Sequence, residues 1–385
     1  MTRVLTGIDS LLSGAFDLPS GRRVGIVTNH TGVTAGLDST VDRLVRHTDC
    51  RVTALFSGEH GLRGDMPAGE HIAGSTDAAT GLPVYSLYGQ TRKPTPAMLQ
   101  EVDLLLFDMQ DAGARFYTYT WTMALCMQAA AENGKAMAVL DRPNPIGGEA
   151  VEGGVLHPGC ESFVGLYPLA TRHGLTLGEI ARWLNGAQGL GCDLTVVPMR
   201  GWKRSLWYDQ TGLPFVPPSP NANCLEMLTL YPGTCFFEAT NISEGRGTTT
   251  PFQVFGAPWL DEQAVIAALK ARNLPGVQFR PTCFTPWTSK FQGQLCRGVQ
   301  LHITDRRALR PVALGAHLLD LCRRLHPRQF EWLPWGERRK IDRLAGSARL
   351  GDALTAGEPV TAVLAQWEAE AAAFARESAP YRLYQ

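Results

Sequence analysis

Glu59 and His60 stand side by side in the run Leu55-Phe56-Ser57-Gly58-Glu59-His60-Gly61-Leu62-Arg63-Gly64-Asp65, a carboxylate beside an imidazole on a glycine-flexed loop. Either group can move a proton near neutral pH when its surroundings tune it. Residues 52–56 read as a buried parallel strand, so the pair emerges just past a carboxyl end, where open α/β sheets hold their ligands. The plainer alternative is a tight turn carrying a solvated charge pair. Three more apolar runs end in polar tips: residues 22–30 in Asn29 and His30, 102–111 in Asp108 and Asp111, and 135–140 in Asp141, Arg142 and Asn144. Four such tips predict one cleft at the carboxyl edge of a single doubly wound sheet.

The elements that must position these tips follow from periodicity. Helical spacing over 9–16 leads to the strand at 22–30, and a helix at 39–47 leads to the strand before Glu59. Residues 64–81 lack apolar periodicity and read as a functional loop or lid. A strand at 82–89 and a short helix at 94–100 precede the strongest buried-strand signal, and a long helix opening near Arg115 ends at Gly134. A helix at 176–185 and a strand at 194–198 complete a first domain, 1–225. The proline-dense stretch 211–221 reads as a semi-rigid connector or groove wall. From 226 to 385 the pattern becomes α+β, with helices at 262–272, 311–325 and 360–376 and strands at 277–280 and 298–304. Trp367 and Phe374 on the last helix read as core. The one stretch of this half with the polar density of a site is 238–250, which holds Asn241, Glu244 and Arg246.

Bulk properties narrow the chemistry. A chain of 385 residues, 44% hydrophobic and 19% charged, has the balance of a globular protein of about two domains. Thirty-six basic residues against thirty-six acidic ones remove the electrostatic case for nucleic acid or an anionic membrane as partner. The nine cysteines form no C-x-x-C pair and their odd number argues against a disulfide framework, so a cytoplasmic location is expected, with export behind a trimmed leader as the alternative. There is no G-x-S-x-G elbow, no H-E-x-x-H helix and no Walker lysine. Several carboxylates and many aromatics favour acid–base work on a carbohydrate. A metal-dependent hydrolase built on His30, His60, Asp108 and Asp111 is an alternative, as is a carbohydrate-binding protein without catalysis.

Residues 57–64 (SGEHGLRG), 106–118 (LFDMQDAGARFYT), 140–145 (LDRPNP) and 241–248 (NISEGRGT) together resemble the NamZ-type exo-β-N-acetylmuramidases. The resemblance extends to residues 163–168 and 298–302. It implies an exo-acting glycoside hydrolase that releases N-acetylmuramic acid from the non-reducing end of peptidoglycan fragments, in a cleft between a Rossmann-like domain and a smaller carboxyl-terminal one. It implies no cofactor and no metal. Glu59 falls in the motif of the family's catalytic glutamate and is assigned as general acid. The second catalytic role stays open among Glu244, Glu152, Asp108 and Asp111. A carboxyl separation of about 5 Å would mean a nucleophile and retention, and roughly 6.5 to 9.5 Å a water-activating base and inversion. A third route uses the substrate's own acetamido group as nucleophile. Arg63, Arg115, Arg142 and Arg246 are candidates for the lactyl carboxylate, which an arginine fork can hold bidentately. Tyr117 is a stacking candidate, and His60, Asp141, Asn144 and Asn241 complete the expected binding shell. The chain departs from the family pattern at Gly58, where a proline is usual. The whole reading requires Glu59 to face the side chains of Asp108, Asp141 and Glu244.

Overall fold

Alternate residues of the central strands point to opposite sides of one sheet, and each side carries its own core. Leu104 and Leu106 pack with Val24, Ile26, Leu55 and Ala138 on one face, whereas Leu105 and Phe107 pack with Val27, Phe56 and Val139 on the other. The structure, a computed structural model, describes residues 3–16, 21–46, 51–64 and 75–385. Most of the expected loop at 64–81, Asp65 included, and the end of the helix expected at 39–47 lie outside the described residues.

The first half contains α1 (Gly7–Leu12), β1 (Arg23–Thr28), α2 (Thr40–Val45), β2 (Arg51–Ser57), β3 (Ser75–Thr76), β4 (Pro83–Ser86), β5 (Leu104–Asp108), α3 (Thr118–Glu132), β6 (Ala136–Leu140), β7 (Glu152–Val155), β8 (Ala170–Arg172), α4 (Leu177–Gly186) and β9 (Asp193–Val197). Seven strands form the main sheet in the order β3-β4-β2-β1-β5-β6-β9, all parallel except the short β3. Counting only the parallel strands, this is the 3-2-1-4-5-6 order of the Rossmann fold, with its switch point between β1 and β5. The helix expected at 94–100 is a succession of turns instead. Thr95 and the two prolines around it open the segment, and Pro96 leaves too few residues before Val102 for a full helical run.

The second half contains α5 (Leu225–Thr234), β10 (Val254–Ala257), α6 (Glu262–Ala271), β11 (Val277–Phe284), β12 (Cys296–Ile303), α7 (Pro311–Leu325), α8 (Lys340–Ala345), α9 (Arg349–Ala356) and α10 (Val360–Ser378). Its three-stranded sheet, β10-β12-β11, is antiparallel. The larger core runs without a break from Met123 and Met127 of α3 to Phe236, Phe237 and Phe255 in this half. Helix α10 folds back onto the first half, where Phe374 meets Trp183 edge-on at 5.4 Å and Trp367 is buried.

Arg115 is a cross-link between the halves rather than a surface group. Its guanidinium, fully buried, donates to the carbonyls of Gly154 and Leu169 from the first half and of Leu344 in α8. Burial lowers its pKa to about 10. No helix among the described residues is long and apolar enough to cross a membrane.

Candidate active site

The β2 strand delivers Ser57 at its buried end, and the chain then turns sharply through His60 and Gly61, both at positive φ (73° and 76°). A left-handed histidine is uncommon and is held here by a buried ring, 3% exposed, that meets His30 edge-on at 6.4 Å. This turn aims the half-buried Glu59 at the start of α3. Thr118, the first residue of that helix, donates its hydroxyl to Glu59 Oε2 at 2.8 Å. Tyr88 stands near the same carboxyl group, and burial together with the Glu59 charge pushes its hydroxyl up to about 12, so it stays protonated.

Glu59 and His60 line a pocket of about 420 Å³, measured out to its mouth. Tyr117, Phe116, Tyr231 and Phe252 supply aromatic walls, with Tyr231 perpendicular to Phe252 at 4.9 Å. Ser219 and Asn221 form one side, so the proline-dense stretch is a groove wall. Its carbonyls anchor it: Pro218 accepts from Tyr119 Oη at 2.6 Å, and Pro217 lies 2.8 Å from His30 Nε2. The Tyr117 hydroxyl is buried without a well-formed hydrogen bond.

Arg246 enters this pocket from the second half. Its Nη2 bonds Glu238 at 2.7 Å and its Nε lies 3.4 Å from Glu244. Burial alone would lower its pKa, but these two carboxylates outweigh that and raise it. Glu244 is 2% exposed and also bonds Lys290 at 2.9 Å, while Lys340 reaches Glu238 at 3.2 Å. The two glutamates thus stand behind Arg246 and orient it.

Of the residues expected to converge, the pocket brings together Glu59, His60, Tyr117 and Arg246, with Glu244 one contact behind. It does not bring in the rest, so the requirement that Glu59 face Asp108 and Asp141 is not met and those two carboxylates are no part of the pocket. Asp108 is fully buried and clamped by Arg142, Nε to Oδ1 at 2.5 Å and Nη2 to Oδ2 at 2.8 Å, with Thr40 bonding Oδ2 at 2.5 Å. Arg142 also ties the Val33 carbonyl. Asp141 caps α4 through Gly178 N at 2.8 Å and accepts from Thr176 and Tyr384. Burial nonetheless raises its pKa to about 6. Asp111 accepts from Gly113 N and lies 3.2 Å from His173. Asn144 bridges Leu175 and Ile146.

Four further expectations are corrected in the same way. Arg63 is spent on Asp77 and Asp42, and Arg115 is the buried cross-link. Glu152 pairs with Arg172 at 2.6 Å, and Asn241 ties the Gln329–Glu331 backbone. Each is a polar side chain satisfied by backbone or an ion pair, which a sequence pattern does not distinguish from one facing a ligand. Among the described residues, no three acidic, histidine or cysteine side chains gather as metal ligands.

Comparison with known proteins settles the family. One model, described as exo-β-N-acetylmuramidase NamZ, N-terminal, matches residues 24–226, and its C-terminal counterpart matches 229–384. The chain belongs to the NamZ family. It is 47% identical over 382 residues to the peptidoglycan β-N-acetylmuramidase NamZ of Bacillus subtilis (strain 168), covering 99% of this chain and 92% of that protein. Two crystal structures of DUF1343 family proteins from Bacteroides fragilis NCTC 9343 are also similar. One has a TM-score of 0.92 at 38% identity with both chains fully covered, and the other 0.78 at 32% identity, covering all of this chain and 99% of that one. Within this NamZ-family frame, sequence reasoning missed Tyr88 and Tyr231, while Ser219, Asn221 and Glu238 fall in the stretches 211–221 and 238–250 that it singled out without naming them as site residues. Tyr231 lies in an apolar helix and reads as core. Thr118 sits in a matching motif and offered the one available signal, a hydroxyl at a helix start facing a strand-tip acid.

Proposed function

We propose that the Glu59 pocket holds the terminal N-acetylmuramic acid of a peptidoglycan fragment and that Glu59 is the general acid–base of its hydrolysis. The observation that carries this is a half-buried carboxyl group, held by Thr118 beside Tyr88, facing an aromatic hollow with a guanidinium in its wall. The sugar stacks against Tyr117 and Tyr231. Arg246 Nη1, which makes no hydrogen bond among the described residues, takes the lactyl carboxylate.

Among the described residues Glu59 is the carboxylate in the pocket wall, because Glu238 and Glu244 are engaged with Arg246, Lys290 and Lys340. This favours the substrate's acetamido oxygen as nucleophile. That oxygen attacks C1, the glycosidic C–O bond breaks, and the departing oxygen takes the proton from Glu59. Water then attacks C1, giving its proton back to the Glu59 carboxylate and restoring the acetamido group with net retention.

The test is Glu59→Gln against a chromogenic N-acetyl-β-muramic acid glycoside. Wild type hydrolyses it, and E59Q loses about 10²- to 10⁴-fold in kcat. A wild-type rate in E59Q removes Glu59 as the acid, and an inert wild type leaves a sugar-binding protein. An N-thioacetyl substrate separates the routes: a free nucleophile in the enzyme would leave its turnover near normal, whereas acetamido attack makes it an inhibitor.

A further inference from the structure

A second hollow, of about 610 Å³ out to its mouth, shares no lining residue with the Glu59 pocket and is walled by five arginines: Arg172, Arg204, Arg306, Arg307 and Arg310. Arg172 and Arg306 lie over Trp207, their guanidinium carbons 5.6 and 4.7 Å from its ring centre. That indole, 5% exposed, is a hub that spaces the cations and is not an open stacking platform.

The charge balance of this wall is incomplete. Arg172, Arg204 and Arg306 are paired with Glu152, Glu179 and Asp209. Arg307 and Arg310 have no carboxylate within 4 Å among the described residues, and Arg310 bonds backbone carbonyls alone. Glu149 is the one acid in the lining. Arg172 is 3% exposed: Nη1 and Nη2 are satisfied by Glu152 and the Ile146 carbonyl, while its Nε and the Oε2 of Glu152 are both buried without a partner. Arg310 also immediately precedes α7, a 15-residue helix whose positive end adds to the field.

We propose that this hollow binds an oxyanion, a phosphate or carboxylate group carried by a small ligand, with the forks of Arg307 and Arg310 as its donors beside the paired Arg172, Arg204 and Arg306. The groove next to it, which shares Glu149 and Arg310 and is lined by Leu364, Trp367 and Ala371 together with Glu152, Glu368 and Arg382, accommodates the remainder of such a ligand. The site is separate from hydrolysis and does not depend on the role given to Glu59.

Isothermal titration of the full chain with sodium phosphate and with sodium acetate, at constant ionic strength against sodium chloride, tests it. Saturable single-site binding of either anion is expected, weakened about tenfold or more in R307A/R310A and less in R307K/R310K, which keeps charge but loses the fork. Saturation by phosphate points to a phosphate ester, and by acetate to a carboxylate. No saturation by either anion, or equal affinity in wild type and R307A/R310A, overturns the proposal. Both substituted residues are exposed, so kcat on the chromogenic glycoside stays at the wild-type value. Should the double variant fail to fold, R307A alone carries the same comparison.

Discussion

Two strand tips in one sheet end in an acid, and they have opposite fates. At the tip of β2, Glu59 is half-buried, receives the Thr118 hydroxyl and faces an open hollow. At the tip of β5, two strands away, Asp108 is fully buried and held by an arginine fork and a threonine. The β5 tip is at the switch point, where Rossmann-type sheets open their crevice. Here that crevice is filled: Thr28 bonds the Asp108 carbonyl at 2.6 Å, Gln110 N bonds Thr31, and Arg142 closes over both. The open pocket has moved sideways to β2 and the start of α3. An acid at the expected edge is therefore not enough; what decides its role is whether a cation already occupies it.

The contrast can be broken most decisively at Asp108. Asp108→Ala leaves Arg142 buried without its counter-charge, and an unfolding free energy about 3–5 kcal/mol below wild type is expected in denaturant titration. E59Q in the same assay stays within about 0.5 kcal/mol. An inactive but stable D108A protein would reverse the assignment of the two tips.

Asp141 gives a pH signature of the structural edge. Its folded pKa of about 6 lies above that of an unfolded aspartate, about 3.9. The folded state holds the proton more tightly, so this contribution is fully present below about pH 4, declines as pH rises, and is gone above about 6. Over that window it amounts to about 3 kcal/mol. Stability of wild type minus that of Asp141→Asn, measured from pH 4 to 7, should fall and then level off. A flat difference would mean that Asp141 keeps an ordinary carboxylate affinity in the fold.

The smallest effect sharpens the pocket itself. Arg246→Met removes the cation facing the lactyl group while Lys290 and Lys340 still neutralise Glu244 and Glu238. KM for the muramic acid glycoside should rise about tenfold, with little change for the N-acetylglucosamine analogue that lacks the carboxylate. Equal losses on both substrates would make Arg246 a structural partner only.

Periodicity and punctuation made the frame readable. The buried runs at 52–56 and 104–108 are strands because β-branched and leucine-rich stretches of that length suit a sheet covered on both faces. Pro311 and the apolar spacing behind it marked α7, since proline at a first helical position costs no hydrogen bond. Glu59 was legible because glycines, a strand end and a carboxylate coincide, and the motif match carried the family. By contrast, α5 contains Pro232 and was hidden, because its neighbour α7 and the larger core stabilise it against the proline's local cost.

What the chain order alone could not reveal was the partner of each charged group. Asp108 and Arg142 are thirty-four residues apart, Arg115 and Leu344 two hundred and twenty-nine. Residue type and local spacing determine which side chains can carry a proton or a charge and on which element they ride. Whether such a group is consumed by an ion pair or left facing a hollow depends on contacts between distant segments, where burial makes an unpaired charge costly and a paired one silent. Tyr88, Ser219 and Tyr231 reach the Glu59 pocket through tertiary packing, and so does Arg246, the one of four candidate arginines that the fold left at its wall.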